Sequence, residues 1–270
     1  MQFQDYFPSF SEALATIYSK EESRILYRYF LEDFQERKVE NLASEFVKVT
    51  EELKKGKPYQ QILGYTEFYG NRFFVDENVL IPRPETEELL ELAINKIRDS
   101  RFEIRDFKIL DVGTGSGIIP ITLKKHFPKA IVSAIEISEK ALEIAQKNAD
   151  FHQTEIKFIH SDYLNTDLTE NYDVIISNPP YIGIDENTEI EDSVKGFEPN
   201  IALFSPTSDA LIFYRKIAKD CEKHLNENGL FFLEINQKLG NETLELFKNF
   251  SESELVKDLS GNDRFVMGRK

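Results

Sequence analysis

Asn178-Pro179-Pro180-Tyr181 follows Asp173-Val174-Ile175-Ile176-Ser177, a run that reads as a buried strand. Two adjacent prolines fix φ twice and remove two backbone donors, which leaves a stiff loop offering acceptors only. The Asn178 side-chain oxygen and the Pro179 carbonyl can then both face one –NH₂ group, and Tyr181 can support a flat substrate by stacking or edge contact. Such a pair suits a poor nucleophile. An amide nitrogen shares its lone pair with its carbonyl and gains positive charge as it attacks an electrophile. Two acceptors on its hydrogens favour that charge and hold the nitrogen in line. Asn178, Pro179, Pro180 and Tyr181 are therefore the candidate catalytic residues. No nucleophilic serine, cysteine or metal is called for, and the four histidines show no ligand spacing such as His-x-x-x-His.

The electrophile is suggested by a second motif. Ile109-Leu110-Asp111-Val112-Gly113-Thr114-Gly115-Ser116-Gly117 is an apolar strand running into a glycine-rich turn that opens a helix. Glycines let a ligand approach the backbone closely, and the helix start presents unpaired N–H groups. A dinucleotide fingerprint wants Gly-x-Gly-x-x-Gly, but Gly117 comes one residue early, which favours S-adenosylmethionine over a pyrophosphate-bearing cofactor. Candidate cofactor residues are Asp111, Gly113, Thr114, Gly115, Ser116 and Gly117. Glu136 joins them, at the end of the next strand about 20 residues on, where a carboxylate accepts from ribose hydroxyls. Asp162 is placed to accept from the adenine amino group and Tyr163 to pack on the ring, although Ser161-Asp162 also reads as a plain turn or helix cap. Asn178 borders both sites.

These motifs need a scaffold, and the chain alternates strand and helix from Lys108 onward. The expected strands are Lys108 to Val112, Ile131 to Ile135, Ile156 to His160, Asp173 to Ser177 and Leu230 to Ile235, with helices through His126, from Ser138 and from about Ser208. That repetition implies a mostly parallel, Rossmann-like sheet covered on both faces. Two strand-like runs around Ser260-Gly261-Asn262-Asp263 imply a closing antiparallel hairpin. Upstream, residues 1–57 read as a small helical domain with a cap at Ser9 to Glu12, and residues 58–84 as a β-hairpin linker turning at Gly70-Asn71. The catalytic domain then spans 85–270, with Thr86 as the cap of its first helix.

Bulk properties narrow the partners. A formal charge of −15 disfavours a protein that grips nucleic acid by its phosphates. Cys221, the single cysteine, excludes an intrachain disulfide and reads as a small buried residue. Met1 to Phe10 lack a signal-peptide pattern, and no apolar run approaches the ~18 residues of a membrane span. A cytoplasmic address is expected.

The sequence resembles the release-factor glutamine methyltransferase family over most of its length. The resemblance is carried by Pro58-Tyr59-Gln60-Gln61-Ile62-Leu63-Gly64, Glu67-Phe68-Tyr69-Gly70, the glycine turn, Asn178 to Tyr181, Glu198-Pro199 and Gly261-Asn262-Asp263-Arg264. Val79-Leu80-Ile81-Pro82-Arg83-Pro84-Glu85-Thr86-Glu87 discriminates best, because other methyltransferases share the glycine turn and some share Asn-Pro-Pro-Tyr. The resemblance implies a class I S-adenosylmethionine-dependent methyltransferase fold. It also implies methylation of the glutamine side chain in the Gly-Gly-Gln motif of class 1 peptide chain release factors; a monomer is expected. Residues 1–57 would help dock that substrate. Glu136 stands where the family more often has aspartate, and Tyr163 where many members have tryptophan; both still suit their roles. The competing reading is an adenine-N6 nucleic-acid methyltransferase using the same loop on a flipped base. A noncatalytic binder would be expected to lose the glycines or Asn178, and a nicotinamide dehydrogenase fails on the glycine spacing.

Overall fold

The computed structural model describes residues 5–100, 106–182 and 196–270. It opens with three helices, α1 (Phe7–Leu14), α2 (Lys20–Glu36) and α3 (Leu42–Lys54). Ser19 and Glu22 cap α2 reciprocally, each side chain accepting from the other's amide, at 3.2 and 2.7 Å. The cap expected at Ser9 to Glu12 does not form. α1 starts earlier, with Pro8 in its first turn, and Ser9 donates its hydroxyl back to the Tyr6 carbonyl. Phe10, Leu14, Leu26, Phe30, Phe34, Phe46, Val49 and Leu53 form the core of these helices. Tyr59, Ile62 and Leu63 of the short helix α4 (Tyr59–Leu63) pack against it.

A hairpin of β1 (Tyr65–Phe68) and β2 (Asn71–Phe74) follows. Its two-residue turn is Tyr69-Gly70, one residue before the expected position, with φ of 50° and 68°. A bulky residue at positive φ needs support. Helix α5 (Pro84–Asp99) supplies it: Glu87 accepts from the Tyr69 amide at 2.6 Å, and Glu91 accepts from the Tyr69 hydroxyl. Thr86 does not cap α5, because the helix begins at Pro84 and Thr86 lies inside its first turn.

Among the described residues the central sheet has seven strands, in the order β5-β4-β3-β6-β7-β9-β8. β3 (Lys108–Val112), β4 (Ile131–Glu136), β5 (Lys157–His160), β6 (Tyr172–Ser177) and β7 (Leu225–Glu234) pair in parallel. β9 (Asp263–Arg269) is antiparallel to both β7 and β8 (Glu252–Lys257), so it alone opposes the others. Alternation along the strands separates two apolar layers. Ile109, Val174, Ile176 and Phe232 join Leu89, Ala93 and Ile97 of α5 and Ile121 of α6 (Ile118–His126) on one face. Leu110, Ile175, Phe231 and Leu233 join Tyr214, Ile217 and Cys221 of α8 (Ile212–His224) on the other. α8 starts four residues later than expected, because the Asp209 carboxylate accepts from the Leu211 amide and holds a local turn. Between β4 and β5 runs α7 (Glu139–Phe151), capped by Ser138.

Candidate active site

β3 lies between β4 and β6, so chain progression reverses there and opens a crevice at the carboxyl ends of the strands. The Ser177 hydroxyl donates to the Val112 carbonyl at 2.7 Å and ties the two strand ends together. Each motif leaves its strand at this point. A cavity of about 890 Å³ occupies the crevice and is lined in part by Gly113, Gly115, Glu136, Asp162, Tyr163, Asn178, Pro179 and Pro180.

In the glycine turn Gly113, Gly115 and Gly117 all have positive φ, at 75°, 53° and 80°. A Cβ on Gly113 or Gly115 would meet no atom within 4 Å, whereas one on Gly117 would sit 3.1 Å from the Ala145 Cβ of α7. The first two glycines therefore leave room for a ligand, and the third lets two helices approach. Gly117→Ala should cost about 1 to 3 kcal/mol in a urea unfolding titration, from left-handed strain plus crowding. A loss no larger than that of Gly115→Ala would refute the packing role. Asn148 braces the turn from behind, donating to the Ser116 and Phe74 carbonyls at 2.8 and 3.0 Å and accepting from the Phe74 amide at 2.7 Å.

Asp111 is fully buried beneath the turn, and among the described residues neither its carboxylate oxygens nor the Thr114 hydroxyl has an aligned hydrogen-bond partner. Burial pushes the Asp111 carboxyl up to about 7; nearby Thr114 opposes this and Glu136 adds to it. Unpartnered buried carboxylate oxygens are costly, and here they lie beneath the turn rather than in the cavity wall. The open cradle at Gly113 and Gly115, which does line the cavity, fits the aminoacid end of S-adenosylmethionine. Glu136 is held in place by three backbone amides, from Gly115 at 3.0 Å and from Ile137 and Ser138 at 2.9 Å each. Three of its roughly four lone-pair sites are used, so one remains free on a residue that lines the cavity.

Asp162 accepts from the Leu164 amide at 3.1 Å and the Asn165 side chain at 2.7 Å, so the carboxylate that lines the cavity also caps the turn Tyr163–Asn165. The Tyr163 hydroxyl donates to Asp220 at 2.7 Å, and Lys216 lies 4.8 Å from its ring centroid. Its phenol is held neutral, raised by burial and by Asp220.

The Asn178 Nδ2 donates to the Thr86 hydroxyl at 3.1 Å, and that hydroxyl donates to Glu234 at 2.8 Å. Pro179 and Pro180 line the cavity beside Asn178. Tyr181 does not line it. The ring packs against the cluster around Tyr214, and its carbonyl accepts from Asn236 at 3.2 Å. Asp111, Thr114, Ser116 and Gly117 likewise lie outside the lining, beneath or behind the turn.

Sequence reading missed several residues here. Asn78, Val79, Leu80 and Lys216 line the cavity, and Thr86 and Glu234 support Asn178. The discriminating linker block contained the signal for some of them. Glu198, 4 % exposed, accepts from Arg83 at 2.6 Å and from the Ile81 amide at 2.9 Å. Gln61 donates to the Phe197 carbonyl at 2.6 Å. The separate blocks at residues 58–64, 79–87 and 198–199 thus meet beside the Asn-Pro-Pro-Tyr loop.

Similar sequences and folds occur among known methyltransferases. The methyltransferase small domain family matches residues 92–194. A release factor glutamine methyltransferase of Flavobacterium psychrophilum is 43 % identical, over 98 % of this chain and 98 % of that one. One of Bacteroides thetaiotaomicron is 40 % identical over 81 % of this chain and 78 % of that one. Among solved structures, the catalytic domain of hMettl16, crystallised with an RNA hairpin, has a TM-score of 0.56 at 16 % identity, covering 83 % of this chain and 80 % of that one. A Pyrococcus furiosus methyltransferase has a TM-score of 0.52 at 18 % identity, covering 75 % and 90 %. The fold is that of class I methyltransferases.

Proposed function

We propose, for a chain that belongs to the release factor glutamine methyltransferase family, that it methylates the glutamine side-chain amide of the Gly-Gly-Gln motif in class 1 peptide chain release factors. S-adenosylmethionine supplies the electrophilic methyl group. The glycine turn from Gly113 to Gly117, Asp111 beneath it, Glu136, Asp162 and Tyr163 would hold the cofactor.

The observation that carries the reading is the acceptor pair at the cavity wall, with Asn178 anchored by Thr86 and the Pro179 backbone restricted by its own ring and by Pro180. The Asn178 oxygen and the Pro179 carbonyl each accept one hydrogen of the glutamine –NH₂. As that nitrogen becomes positive, both acceptors bind it more strongly than in the ground state. Tyr181 stiffens the loop from behind. The three amino-terminal helices would dock the protein substrate.

The adenine-N6 reading is not favoured. The relatives that match over nearly the whole chain are protein methyltransferases by name, and the hMettl16 likeness, at 16 % identity, speaks to fold alone. No helix among the described residues is long and apolar enough to cross a membrane.

The purified chain, incubated with cofactor and an unmodified class 1 release factor, should add the mass of a single methyl group to the Gly-Gly-Gln peptide. Duplex DNA given labelled cofactor should stay unlabelled. An unchanged peptide mass would overturn the substrate assignment.

A further inference from the structure

We propose that Thr86 and Glu234 are positioning residues that fix which end of the Asn178 amide meets the substrate nitrogen; this rests on the methyltransferase reading above. Asn178 could present its oxygen or its –NH₂ to the cavity with little change in shape, but only the oxygen accepts from a glutamine amide. The –NH₂ end would set donors against donors.

The hydrogen-bond chain decides between them. An ionised carboxylate accepts only, so the Thr86 hydroxyl must donate its one hydrogen to Glu234. Its oxygen is then left as an acceptor, which Nδ2 of Asn178 fills at 3.1 Å. Oδ1 is thereby directed to the opposite side. Both supports are buried, Thr86 at 2 % exposure and Glu234 at 1 %, so water cannot substitute for either.

Glu234 faces Arg264 of β9, Arg83 and Glu85 at the start of α5, and Tyr181 of the catalytic loop, while Tyr214 of α8 donates to its backbone carbonyl at 3.2 Å. Burial, the largest influence, lifts its carboxyl to about 7 against Thr86 and Arg264. Once protonated, Glu234 can donate to Thr86. The Thr86 hydrogen is then released to turn toward Asn178 and stabilise the wrong orientation. The relay should hold above the Glu234 pKa and loosen as pH falls through it.

Steady-state kinetics on the release factor test this. Thr86→Val keeps the shape and removes the relay; kcat should fall about tenfold while KM for the cofactor stays within about twofold. Thr86→Ser should recover most of the loss. The double variant Thr86→Val/Asn178→Ala should be no slower than Asn178→Ala alone, since the relay acts only through Asn178. Wild-type kcat should rise with pH through about 7, and Glu234→Gln should lose that limb. Asp111, which titrates in the same range, is unchanged in that variant, so loss of the limb assigns it to Glu234.

A Thr86→Val enzyme within twofold of wild type, or additive losses in the double variant, would overturn the relay. Absence of wild-type turnover would instead sink the substrate reading. The relay is then judged by NMR on ¹⁵N-labelled protein, with the Asn178 side-chain amide assigned by its loss in Asn178→Ala. That signal should move as pH crosses about 7 in wild type and stay still in Glu234→Gln. A signal unmoved in wild type, or moving alike in both, refutes the proposal.

Discussion

Asn178→Ala should lower kcat by roughly 30- to 1,000-fold at saturating cofactor, a loss of about 2 to 4 kcal/mol of transition-state stabilisation, by analogy with deleting one oxyanion-hole donor. In the proposed mechanism the substitution removes one of two acceptors from a nitrogen whose hydrogens become more acidic as charge develops. Pro179 keeps its carbonyl in place, so a residual rate should survive. The neighbouring contacts give the effect its specificity. Thr86 and Glu234 would keep their own hydrogen bond at 2.8 Å, and Ser177 would still tie β6 to β3 at 2.7 Å, so the loop should not collapse. Single-turnover rates on the release factor, compared with cofactor affinity by calorimetry, separate a chemical loss from a binding loss. Undiminished single-turnover rates would refute the acceptor mechanism.

Arg83→Ala should destabilise the protein by about 2 to 3 kcal/mol, just under the roughly 3 to 5 kcal/mol for breaking a fully buried ion pair. The asymmetry of the pair sets that figure. The Glu198 side chain is 1 % exposed and the Arg83 side chain 34 %, so the substitution strands a buried carboxylate while removing a cation that still touches water. Glu198 would keep the Ile81 amide at 2.9 Å, which tempers the loss. Arg83→Lys should recover part of it, since a lysine supplies charge without the planar fork. Urea unfolding monitored by far-UV circular dichroism measures the difference, and a shift below about 0.5 kcal/mol would show that the pair contributes nothing net. Because Glu198 connects the linker block to the segment that lines the cavity at Asn200 and Ile201, a rise in KM should accompany the lost stability.

The chemistry proposed for this protein is written in contiguous residues. Lys108 to Val112 reads as a strand, Gly113 to Gly117 as a turn that only glycine tolerates, and Asn178 to Tyr181 as a stiff run of acceptors, because each depends on torsions and side chains within a few residues. Sheet class was legible for the same reason, in the alternation of apolar strands with helices. What could not be read locally was which residues complete the site. Thr86 looked like a helix cap, yet it bonds Asn178, 92 residues away, and Glu234, 148 residues away. Arg83 and Glu198 are 115 residues apart. Tyr181 looked like a substrate platform and lies against the core instead. Each of these contacts exists because the strand order sets β6 between β3 and β7, which brings the end of β7 and the start of α5 beside the loop. Residue types specify what a local turn can do; only the stacking of distant elements decides which buried partners hold it in register.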